Sequence, residues 1–284
     1  MRKLIVFLLF ASFSTLMFSQ NKPAYKLYNA NGAKVSYKSM IKKMEKADVV
    51  LFGEHHNNPI VHWLQYETTS DLNKLRKLIL GAEMIEADNQ FQLNEYLAGK
   101  IDQKEFDTVA RLWKNHSTDY KPLVDLAKDN NLKFIAANIP RRYASKVFKG
   151  GFEALDTLTS EEKSWIAPLP IKYDATLPGY VKMKALMGGH GGDNLPKAQA
   201  MKDATMAHFI LKNMEDGKLF IHYNGSYHSD DYEAINWYLN KGNSNLKIIT
   251  VSVVEQANLK KFDKENKSKA DYIIAVPPTM TKTY

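Results

Sequence analysis

The 284-residue chain contains no cysteine. That excludes a disulfide frame, a thiolate metal ligand and a lipid-modified N-terminal cysteine. A P-loop is missing, and no nucleotide-binding glycine fingerprint follows the first apolar strand. There is no G-x-S-x-G elbow, and no serine triad can be assembled. No repeat or low-complexity linker divides the chain. The apolar run from Leu4 to Phe18 is shorter than the ~20 residues a spanning helix prefers. It follows Arg2-Lys3 and gives way at Ser19-Gln20 to polar residues, the order of a secretory signal peptide. The expectation is a signal over residues 1–19 and one domain over 20–284, exported to the periplasm or beyond, not a lipoprotein and with no permanent membrane span.

The formal charge is +8, with 39 basic against 31 acidic residues. The excess is spread as lysine rather than clustered as arginine with aromatics, which argues against a nucleic-acid partner. A basic surface favours acidic small ligands.

Asn31-Gly32 between two alternating stretches predicts a small hairpin over Tyr25 to Tyr37, with a helix from Ser39 to Lys46. Short apolar runs of the kind buried parallel strands show occupy Asp48–Phe52, Leu78–Gly81, Leu132–Ala136, Lys218–His222, Leu246–Val253 and Tyr272–Val276. Helical stretches separate most of them. This alternation predicts an α/β fold: a doubly wound, mostly parallel sheet with helices on both faces. Residues 150–193 break the rhythm and read as a helical, irregular lid or insertion.

Chemistry-bearing residues follow each strand. Gly53-Glu54-His55-His56 follows the first, Glu83 the second, Asn138 with Arg141-Arg142 the third, and Asn224-Gly225-Ser226-Tyr227-His228 the fourth. Ligands of open α/β sheets bind outside the carboxyl ends of the strands, so these residues converge on one edge. Glu54, with two imidazoles beside it, is the hardest to dismiss; Glu83 alone is as consistent with a surface residue. His222 reads as a satisfied core histidine, and His62, His116 and His208 as structural or surface groups. Arg141 offers a guanidinium fork for a carboxylate. Asp203, on the helix before the fourth strand, could hold an imidazole tautomer.

Two or three histidines (His55, His56, His228) with Glu54 and Glu83 suit a divalent metal such as manganese, cobalt, zinc or iron. With a metal, bound water would be the nucleophile and Glu54 or Glu83 the catalytic base. Without one, the same groups could bind an acidic ligand. Asn138, Asn224 and Asp203 would stand behind them.

The segment Val49 to Pro59, then Gly81-Ala82-Glu83-Met84 and Gln90, resembles the ChaN family of haem-binding uptake proteins. Trp113 with Tyr120, Ala136 to Arg141, Lys202 to Ala207 and Asn224 to His228 continue the likeness in the family's order. The resemblance implies an α/β fold and haem capture at the cell envelope, with an uptake receptor as partner. It also implies kinship with the wider Tiki, TraB and erythromycin-esterase-like proteins, some of them metal-dependent hydrolases. Their paired G-x-x-H motifs correspond to Gly53–His56 and Gly225–His228, so a hydrolase (peptidase or esterase) is the alternative. Two departures stand out: no cysteine for lipidation, and bulky Tyr227 inside the second motif. On the haem reading Arg141 would meet a propionate, while Tyr180, His190, Tyr227 and the edge histidines offer axial donors. The 150–193 loop would then supply the apolar wall.

Overall fold

The computed structural model describes residues 22–186 and 192–284. Seven strands form one sheet: β1 (Lys26–Asn29), β2 (Val49–Glu54), β3 (Leu78–Glu86), β4 (Lys133–Asn138), β5 (Leu219–Gly225), β6 (Ile248–Glu255) and β7 (Tyr272–Val276). Their order is β1-β7-β6-β2-β5-β3-β4. Every pairing is parallel except β1 with β7.

Among the described residues five α-helices precede β4: α1 (Tyr37–Met44), α2 (Pro59–Asn73), α3 (Gln90–Leu97), α4 (Gln103–Val109) and α5 (Lys121–Asp129). They bury Met40, Leu64, Leu93, Phe106 and Val124 against Val50, Phe52 and Leu80 on one face of the sheet. Five follow it: α6 (Arg141–Gly150), α7 (Ser160–Lys163), α8 (Pro178–Leu186), α9 (Asn194–Asn213) and α10 (Ile235–Gly242). On the opposite face Val147, Met201, Ile210 and Leu239 pack against Val49, Leu51 and Ile79. Successive strand side chains alternate between these two cores, which explains the unbroken apolar runs.

The six runs read from sequence are the six parallel strands, but most extend further at their carboxyl ends. Glu54, Glu83, Asn138 and Asn224 lie within strands rather than in the loops after them. The apolar runs stop where polarity begins, yet the strands continue, because these polar side chains are buried inside the sheet edge, Glu54, Glu83 and Asn224 with hydrogen-bond partners. The N-terminal hairpin is slighter than expected: β1 pairs back only through an isolated Tyr28–Lys34 bridge. Gly32 turns at φ +81°, and α1 begins at Tyr37.

Candidate functional site

β2 and β5 are adjacent, with Gly53 opposite Asn224 and Glu54 opposite Gly225. This register places the two G-x-x-H segments side by side at the sheet's carboxyl edge. Each glycine makes room for the other segment. A Cβ on Gly225 would lie 2.8 Å from His56 Nε2, and one on Gly53 would lie 2.6 Å from the Val251 carbonyl oxygen and 3.0 Å from Ser226 Oγ.

Glu54 is buried and fully engaged. Its Oε1 meets His56 Nδ1 at 2.8 Å and accepts from the Tyr120 hydroxyl at 2.8 Å. Its Oε2 accepts from Gln65 Nε2 at 2.7 Å, with His62 Nδ1 3.5 Å away. Burial raises this carboxyl's pKa, but hydrogen bonds and charge from His56 and His62 outweigh it and hold the group near 2. His62 runs on to Asp119 at 3.6 Å. The sequence reading placed His62 among structural or surface histidines; it is buried within this network.

A second network lies on the opposite face, as strand alternation requires. Glu83 Oε2 accepts from the Gly225 N–H at 2.7 Å, and its Oε1 lies 3.3 Å from His228 Nε2. His228 Nδ1 meets Asp203 Oδ1 at 2.5 Å, and Asp203 accepts from the Tyr180 hydroxyl at 3.1 Å. Burial alone would depress the imidazole, yet the two carboxylates lift His228 to about 10. Glu83 moves the other way: burial opposes ionisation, and the charge of His228 overcomes it. A carboxylate–imidazolium–carboxylate sandwich results.

These networks floor a cleft of about 1110 Å³. His56, Glu83, Asn138, Gln199 and His228 form its polar base. Leu112, Trp113, Ala144, Phe148, Leu195 and Ala198 give the apolar walls. Lys114, Arg141 and Lys202 also line it, and among the described residues none has a carboxylate partner. Asn138 is 92 % buried, from its 8 % exposure, and its Oδ1 has no partner. Thr283 and Tyr284 reach the rim, where the Thr283 N–H donates to the Asn57 carbonyl at 3.0 Å and its hydroxyl to Asp119 at 2.8 Å.

A description of haem-binding uptake proteins, Tiki superfamily, ChaN, matches residues 40–239. The chain belongs to the ChaN family. A solved structure of cofacial haem binding to ChaN of Campylobacter jejuni superposes with a TM-score of 0.66 at 20 % identity, covering 88 % of this chain and 96 % of that one. A Bacillus cereus protein superposes at 0.52 with 11 % identity, covering 84 % and 90 %. An erythromycin esterase EreC mutant in its open conformation gives 0.52 at 9 % identity over 90 % and 98 %. These likenesses establish the fold. The chloroplastic protein Reticulata-related 5 of Arabidopsis thaliana is 25 % identical over 197 residues, 63 % of this chain, which spans 26 % of that protein.

The residues read from sequence distribute unevenly around this ChaN-family cleft. His56, Glu83, Asn138, Arg141 and His228 line it. Glu54, Asp203 and Asn224 stand behind, Asn224 donating to the Ser229 hydroxyl at 3.0 Å. His55 turns away toward Glu255, 3.7 Å distant. Tyr180 is buried on Asp203, and Tyr227 donates to the Gly179 carbonyl at 2.8 Å; neither lines the cleft. His190 lies outside the described residues. Among the described residues, 150–193 contributes nothing to the cleft wall, which comes instead from the 111–118 segment, α6 and α9. His222 is buried but not satisfied: Nδ1 meets Asn224 at 3.2 Å while Nε2 has no partner.

The divalent-metal expectation finds no support. Among the described residues no three His, Asp or Glu side chains are grouped to hold an ion. Glu54 pairs with His56 and Glu83 with His228, so the presumed donors neutralise each other instead of converging on a point.

Proposed function

We propose that the cleft binds haem, and that the protein is exported and takes part in haem uptake at the cell envelope, passing its cargo to or from a receptor there. One observation carries the reading: an apolar-walled cleft carries three cations with no carboxylate partner among the described residues, in a chain of the haem-binding uptake family. Haem is a flat apolar disc with two carboxylates on one edge, and both halves have a counterpart. Trp113, Phe148 and Leu195 would face the macrocycle, while Lys114, Arg141 and Lys202 would meet the propionates. The volume, about 1110 Å³, exceeds the ~300–1,000 Å³ typical of small-ligand pockets, as a large planar ligand requires.

Bound haem would supply an iron open to a nitrogen or oxygen donor. His56 is suited to the part: its Nδ1 is committed to Glu54, which fixes the ring and leaves Nε2 as the available nitrogen. Export is supported by the basic start and apolar run of residues 2–18.

Titration of the full chain with hemin tests the reading, with metal-free protoporphyrin IX in parallel. A saturable Soret shift is expected, with His56→Ala losing the iron-dependent share of affinity but keeping porphyrin binding. No Soret shift with hemin would overturn it.

A further inference from the structure

The protein's net charge is concentrated at one edge of the sheet. Between residues 30 and 47, Lys34, Lys38, Lys42, Lys43 and Lys46 face a single carboxylate, Glu45. Between 257 and 268, Lys260, Lys261, Lys264 and Lys267 face Asp263 and Glu265. Nine lysines against three carboxylates leave an excess of six. The whole chain carries +8, of which Arg2 and Lys3 lie outside the described residues. The remaining +6 therefore equals the excess on these two segments, and the rest of the described protein is formally neutral.

The fold sets the two segments on either face of the same border: α1 packs with Leu27 on one side of β1, and the 257–268 loop packs with Tyr28 on the other. The Val35 N–H donates to the Leu27 carbonyl at 3.0 Å, so Lys34 lies on the chain running outside edge strand β1. The 257–268 loop docks on the β1 turn: the Ser268 N–H donates to the Ala30 carbonyl at 2.8 Å, and the Phe262 ring lies 4.7 Å from that of Tyr28. α1 buries Met40, Ile41 and Met44 and leaves Lys38 and Lys42, one turn apart, exposed beside Lys43. All nine lysines are exposed, and among the described residues none forms an ion pair.

We infer that this lysine-covered edge docks the protein electrostatically on an anionic phospholipid surface. The chemistry selects a lipid surface over other polyanions. A protein partner needs a desolvated aromatic or aliphatic anchor, and no large exposed hydrophobic residue lies in either segment. Sequence-reading nucleic-acid sites use arginine forks and stacked aromatics, and these segments carry no arginine and no exposed aromatic. Mobile ammonium groups without fixed partners suit a diffuse, fluid array of phosphates. This edge is separate from the cleft, so docking holds whether or not haem is the cargo.

Vesicle co-sedimentation of the full chain at low and physiological salt tests the inference. Vesicles containing phosphatidylglycerol are compared with pure phosphatidylcholine, because an apolar N-terminal segment would bind both alike. The expected result is salt-sensitive preference for the anionic vesicles. Each lysine neutralised should weaken it about fivefold, so a K38E/K42E/K46E variant and a K260E/K264E/K267E variant both lose it. A K104E/K149E/K212E control, with the same charge change elsewhere, keeps most of the preference, and all three keep the wild-type hemin titration. Equal partition onto the two vesicle types overturns the inference. So does an equal loss in the control, or tighter binding to a DNA duplex than to the anionic vesicles.

Discussion

His56 Nε2 occupies the space that a side chain on Gly225 would need, 2.8 Å from where its Cβ would stand, with Glu83 Oε2 at 3.5 Å from the same point. The glycine of one segment thus seats the histidine of the other. Gly225→Ala should push the imidazole off its seat while the backbone stays, weakening hemin binding at least tenfold for about 1–3 kcal/mol of stability. Gly53→Ala meets a backbone carbonyl, the Val251 oxygen at 2.6 Å, which cannot swing aside. Urea denaturation should therefore rank Gly53→Ala as the more destabilised, and hemin titration should rank Gly225→Ala as the more impaired among folded proteins.

The Glu83–His228–Asp203 sandwich sets an alkaline limit. A raised imidazole pKa contributes stability that is complete below its ordinary 6.5 and lost as pH climbs through about 10. Stability should fall across that window. His228→Gln removes the cation between two buried carboxylates and should cost about 3–5 kcal/mol. It should also flatten the decline above pH 6.5. A melting temperature followed from pH 6 to 10 in both proteins checks the sign, and an unchanged slope in the variant would reject this account.

Glu54 sets the acid limit by the opposite sign. Its carboxyl is held near 2 against an ordinary 4.5, so its contribution is present above pH 4.5 and lost as pH falls toward 2. Glu54→Gln keeps the shape but removes the charge that holds His56 and His62. The acid limb of its stability curve should be shallower than the wild type's between pH 4.5 and 2, measured by the same melting series.

Much of this architecture is legible in the sequence. Six apolar runs marked the parallel strands because both faces of this sheet are buried, and a parallel sheet sends every strand's carboxyl end to one edge. Glu54, Glu83 and the paired motifs were therefore findable by topology. Partners drawn from helices were not. Gln65 and Gln199 look like surface residues on a helix, and nothing in a sequence says that Tyr120 reaches a glutamate 66 positions earlier. Among the described residues of 150–193 none lines the cleft: the tyrosines suggest a wall, whereas Tyr180 spends its hydroxyl on Asp203. Thr283 and Tyr284 gave no periodic signal at all.

Arg141 and Lys202 are on the cleft without ion-pair partners among the described residues, so their charges remain available for an anionic ligand. Each exposed pair formed is worth about 0.2–1 kcal/mol. Arg141→Ala and Lys202→Ala should each weaken hemin binding up to about fivefold, and the loss should shrink at high salt. A dimethyl ester of the porphyrin, lacking propionate charge, should bind wild type and both variants alike. Equal sensitivity of ester and acid to Arg141→Ala would place that guanidinium elsewhere than on a carboxylate.

Thr283 ties the 282–284 segment to the cleft rim through Asn57 and Asp119, and Lys282 adds an ion pair with Glu255. Tyr284, 68 % exposed, lines the cleft beside those tethers. Thr283→Val removes the hydroxyl bond to Asp119 but keeps the bulk and the backbone bond, so the rim loosens without emptying. Ligand exchange past a loosened rim should quicken in both directions, leaving the equilibrium nearly unchanged. Stopped-flow mixing with hemin, followed by transfer to a scavenger, should show association and release rates rising together by about twofold to fivefold, the effect of one lost hydrogen bond of about 0.5–1 kcal/mol. A change in release rate alone would instead make Thr283 a ligand contact.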